Sequence, residues 1–137
     1  MDLLSAFNNI NWLSVLVASL SAFAIGSLWY SSLLLGNIWQ KEVKLSDDEI
    51  KSANMPLIFS LAFILDLIAA LVLDMFIGIE ATLWSGIIAG ALVSIAWVAT
   101  AIGINYLFTR KSFRLFLIDT GYFVVFFLVM GAILGAW

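Results

Sequence analysis

The sequence predicts an all-α polytopic membrane protein with four transmembrane helices and a short additional helix in its first charged loop. Three observations carry that reading. Hydrophobic residues make up 64% of the 137 and charged residues only 11%, against about 45–50% and about 25% in a soluble domain. Mean hydropathy is +1.14, and a small soluble fold has too little interior to hide so much apolar surface. The apolar residues also run continuously instead of alternating every second position, which favours helices over barrel strands.

A spanning helix needs about 20 mainly apolar residues. The first stretch, 12–35, contains no charge, and none interrupts the chain from Leu3 to Gln40. Ala22-Phe23-Ala24 resembles a signal-peptide cleavage site, but the residues before it include Asp2 and no Lys or Arg, so a retained helix is expected. Between the first and second spans, Ser46 and Glu49 have capping-box spacing, and Leu45 and Ile50 occupy hydrophobic-staple positions around them. A short helix at about 46–55 follows, broken near Pro56, where the ring removes a backbone donor. The second span, 57–79, is interrupted by Asp66 and Asp74, the third, 82–108, has no charge, and the fourth, 113–137, contains Asp119. The tight turn 109–112 makes the last two an antiparallel hairpin. Residues 1–137 therefore read as a single transmembrane domain.

Orientation follows from the basic residues. Lys41, Lys44 and Lys51 lie between the first two spans, and Arg110, Lys111 and Arg114 lie at the turn between the last two. Four spans put both groups on one face, which the positive-inside rule makes cytoplasmic, leaving both termini outside. Trp12, Trp39, Trp84 and Trp137 fall near span ends, as interfacial anchors do.

Small residues recur every fourth position: Ser14, Ala18, Ala22 and Gly26 in the first span, Thr82, Gly86, Gly90 and Ser94 in the third, Gly131 and Gly135 in the fourth. Such stripes allow close backbone approach, either within the chain or between subunits. A homo-oligomer, most simply a twofold dimer, is the expectation they raise.

The chemistry available is narrow. The chain has no Cys and no His, which removes thiolate nucleophiles, Ser-His-Asp triads, haem ligation by His and the common catalytic zinc sites. No cofactor or metal motif is present, an enzyme is not expected, and the net charge of −3 disfavours nucleic acid as a partner. The lipid bilayer is the expected partner, with any ligand unnamed.

What remains is a set of polar side chains inside the spans. Asp66 lies about ten residues beyond Pro56, near the bilayer midplane. Ala62, Asp66, Ala70 and Asp74 share one small-residue face. A charged Asp at midplane costs about 2.5–3.5 kcal/mol on insertion scales, so it should face the bundle. There it is either a proton-coupling or cation site, or a carboxyl bonded to a neighbouring helix at Ser94 or Thr100. A second group, Trp29, Tyr30, Asn105, Asp119 and Tyr122, lies at comparable depth near the basic face. Asn105 is eleven residues after Ser94, about 20° away in an α-helix, and so should extend the inward stripe. These residues suggest a polar cavity for a small solute or ion, with Arg110 or Arg114 as cationic neighbours. A non-catalytic module binding lipid or protein would need only the packing stripes and aromatic anchors.

Several segments together resemble the small bacterial membrane proteins grouped as DUF1761. These are Asn11-Trp12, Leu28-Trp29-Tyr30-Ser31 with Gly36 and Trp39, Gly103-Ile104-Asn105 before the basic turn, 118–122, and the ending 130–137. Ser32 and Leu35 stand where the family pattern often has Pro and Phe. The resemblance implies four helices and the bacterial cytoplasmic membrane, and no activity.

Overall fold

The computed structural model describes residues 2–137, all helical where regular. Its elements are α1 (Leu3–Asn8), α2 (Trp12–Trp29), α3 (Gly36–Val43), α4 (Asp47–Lys51), α5 (Met55–Ile77), α6 (Leu83–Leu92), a π-helical segment (Val93–Ala99), α7 (Thr100–Thr109) and α8 (Phe113–Ala136). Four helices are long and apolar enough to cross a membrane: α2, α5, the continuous Leu83–Thr109 helix and α8. The short helix expected at about 46–55 is α4, opened by the Ser46–Glu49 capping box, with Glu49 N–H donating to Ser46 Oγ at 3.1 Å. It ends earlier, at Lys51, and Pro56 stands in the first turn of α5, where its missing donor costs nothing.

The packing has a hub. α8 lies between α2 on one side and α6, the π segment and α7 on the other, while α5 lies mainly against α2. The α6–α8 contact explains the glycine spacing. A Cβ on Gly86 would collide with the Gly131 carbonyl oxygen, and one on Gly131 with that of Gly86. Gly90 meets the Phe127 carbonyl and Gly135 that of Thr82 in the same way. Backbones this close gain dispersion that larger residues would forbid. The glycines of the third and fourth spans are therefore used within one chain, where α8 already covers Gly86 and Gly90. Ser14, Ala18 and Ala22 are buried in the core beneath α2, and Gly26 lies under the Tyr122 ring.

The first span differs from its sequence reading in length. α2 stops at Trp29 instead of running to about Leu35. The chain turns there, with Leu35 N–H donating to the Trp29 carbonyl (3.1 Å) and Gly36 N–H to that of Ser31 (2.9 Å). Gly36 fits because a Cβ would meet the Tyr30 and Ser31 carbonyls. The turn releases α3 as a separate helix at the basic end. Gln40 Nε2 ties it to Asp47 of α4 at 2.8 Å. Arg114 lies 3.7 Å from Glu42, and Ser112 Oγ donates to Glu42 at 2.5 Å, so the two basic loops are joined.

The third span is not a plain α-helix. Across Val93–Ala99 its hydrogen bonds skip to the fifth residue, which widens the turn and absorbs one extra residue. Everything beyond it lags by about 100°, one residue's rotation. This change of phase decides which side chain reaches the site.

Candidate functional site

The site is built from the basic end upward. Ser112 caps α8 by accepting the Leu115 N–H at 3.0 Å, and two turns later Asp119 points into the bundle, nine-tenths buried. Both of its carboxyl oxygens are engaged. Tyr30, at the end of α2, donates to Oδ1 at 2.7 Å, and Tyr106 of α7 donates to Oδ2. One carboxylate thus ties three helices together. Trp29 adds a further tie, its Nε1 donating to the Ile118 carbonyl at 3.0 Å. The Tyr30 ring lies edge-on to Tyr122 (5.3 Å between centroids) and to Trp39 (5.6 Å).

Asp66 is different. It is 9% exposed and makes no hydrogen bond to any described residue. The partners considered for it are committed elsewhere: Ser94 Oγ donates to the Ala91 carbonyl, and Thr100 Oγ1 to those of Ala96 and Trp97. An unpartnered carboxyl at this depth is costly unless something else solvates it.

What it faces is a cavity of 840 Å³. Asp66, Asp119, Tyr30, Tyr106 and Tyr122 all line it, at the level where α5 and α7 pack little on each other. Phe23, Phe59, Phe123, Ile58 and Ile102 form apolar walls. Trp39, Gln40, Glu49 and the staple pair Leu45 and Ile50 close it toward the loops. A second, smaller cavity of 550 Å³ opens at the opposite end, lined by Asp2, Asn9, Asn11, Ser14 and Asp74. Between the two lie Ala18, Ala22, Ala70 and Met130, each with no exposed surface.

Of the residues singled out from the sequence, the structure brings Asp66, Asp119, Tyr30 and Tyr122 to one cavity, with Trp29 pinning its wall. Asn105 is not among them. Its side chain is exposed on the outside of α7, because the π segment turns that helix by one residue and puts Tyr106 in the inward position instead. Nor do Arg110 and Arg114 reach the cavity; Arg114 lies outside beside Glu42. Tyr106 was missed by the sequence reading, and the signal that marks it is a tyrosine near the basic end of an otherwise apolar span. Trp39, read as an interfacial anchor, also walls the cavity.

The arrangement can hold a molecule with an apolar body and a polar or charged group. The family model described as "Protein of unknown function (DUF1761)" matches residues 13–135. No curated protein and no solved structure matches the chain.

Proposed function

The chain belongs to the DUF1761 family, proteins of unknown function, and we propose that it is a non-catalytic membrane protein that holds a small solute or ion in the cavity between α2, α5, α7 and α8. The observation that carries this reading is Asp66, a carboxyl nine-tenths buried, without a protein partner, lining 840 Å³ of space. Pockets for small molecules run from about 300 to 1,000 Å³ and are mostly apolar with a few convergent polar groups. In this reading the protein sits in the bacterial cytoplasmic membrane with its basic loops in the cytoplasm and its termini outside, as their Lys and Arg favour. The cavity then faces the cytoplasm.

The reading requires water to enter from the basic side. Since the sequence has no Cys, Ala62→Cys introduces a single thiol one turn from Asp66 on the cavity wall. In proteoliposomes it should react with a small cationic methanethiosulfonate reagent, while Leu65→Cys, 65% exposed on the outer face of α5, should stay unlabelled in the lipid. An inert thiol at 62 would mean a dry seam or a lipid-filled one and would overturn the reading. A lipid-binding module is the second reading, favoured by the apolar walls, and in that case an acyl chain would exclude the reagent.

A further inference from the structure

We propose that the cavity is selective for an amphipathic organic cation, with Asp66 as its counter-ion; this rests on the reading of the cavity as a solute site. Charge is the first argument. Three acids line the cavity (Glu49, Asp66 and Asp119) and no Lys or Arg does, although the chain's six basic residues all lie at this end. They surround the loops without entering. The only charged groups an anion would meet there are carboxylates of its own sign.

The second argument is how the two deep acids differ. Asp119 is satisfied by Tyr30 and Tyr106 and holds the helices together. Asp66 has no such partner, so a cation can compensate it without breaking an existing bond. The tyrosine hydroxyls that bind Asp119 also fix the Tyr30 ring in the cavity wall, against Tyr122 and Trp39. Aromatic walls beside a carboxylate attract organic cations through the ring quadrupole as well as through charge.

The third argument separates an organic cation from a metal ion. Among the described residues no three acidic side chains come close enough to share a metal. Most of the lining is apolar, which suits a hydrophobic body, and its acids are too scattered to supply the six or more oxygens a bare divalent ion takes.

The test uses the full chain in phosphatidylcholine nanodiscs with tetraphenylphosphonium and tetraphenylborate, ions of matched shape and opposite charge. Against empty nanodiscs, the phosphonium should bind saturably and the borate should not. Asp66→Asn, nearly isosteric, should weaken phosphonium binding at least tenfold, whereas Asp74→Asn at the opposite end should leave it unchanged. Phosphonium should also protect Ala62→Cys from the thiol reagent with Asp66 intact, a readout that does not depend on the Asn variant folding. Equal binding of both ions, an unaffected Asp66→Asn variant, or no protection at position 62 would overturn the cation assignment while leaving a reactive Ala62→Cys, and with it the cavity reading, standing. An unreactive Ala62→Cys would remove both.

Discussion

Asn105 and Tyr106 are neighbours in sequence and opposites in role. Asn105 looks like the buried polar group of the third span because it lies eleven residues past Ser94, about three turns at about 100° per residue. The structure gives that inward place to Tyr106, whose hydroxyl donates to Asp119. Asn105→Leu should therefore leave stability unchanged or raise it, since it removes a polar side chain from an exposed apolar face. Tyr106→Phe should lower stability by about 0.6 kcal/mol and by at most about 1.7, the average and the maximum for a hydrogen bond inside a bilayer. Steric-trap or denaturant unfolding of the two variants in bicelles checks the order, and the reverse order would refute the placement. Other residues are legible in the sequence itself. Asp66 falls inward because four-residue spacing with Ala62 and Ala70 defines one face. Tyr30, Asp119 and Tyr122 meet because their distances from the span ends match. Their hydrogen bonds were not readable, because depth along a span says nothing of rotation about it.

At the level of elements, the apolar runs announce the four long helices, since their length and continuity are properties of composition. The end of α2 at Trp29 is not legible in that way. Leu33, Leu34 and Leu35 continue the apolar run, and the turn there depends on Gly36 approaching the carbonyls of Tyr30 and Ser31. The π segment is equally silent, as an added residue leaves no mark on hydropathy. It does make a prediction about length. Deleting Ile95, which is exposed within the segment, lets an ordinary α-helix place Tyr106 eleven residues after Ser94, back at about 20°. The folded fraction and phosphonium binding should survive this deletion. Deleting Leu128 from α8 has no wide turn to absorb it and rotates Gly131 and Gly135 about 100° away from α6, so the folded species should be lost. Fluorescence-detected size exclusion of both deletions gives the comparison, and loss of the fold on deleting Ile95 would contradict the phase argument.

At the scale of the whole molecule the charges are divided between two ends. Lys41, Lys44, Lys51, Arg110, Lys111 and Arg114 lie at one, while Asp2 and Glu80 lie at the other with no Lys or Arg near them in sequence. Under the orientation proposed, Glu80→Cys should be labelled by an impermeant thiol reagent on intact cells and Ser46→Cys only after lysis; labelling at Ser46 but not Glu80 would invert the protein. The two cavities divide the molecule in a second sense. Asp66 and Asp74 are eight residues apart on α5, about 12 Å along the helix, in separate cavities with Ala70 and its buried neighbours between. With water in both mouths, the membrane voltage falls across this septum and not across the full hydrocarbon thickness of about 30 Å. The local field is then about two and a half times that of the surrounding bilayer. A unit charge passing from one carboxylate to the other would cross nearly the whole potential, about 2.3 kcal/mol per 100 mV. One that docks at Asp66 from the basic side crosses almost none of it, and its affinity is set without reference to the voltage.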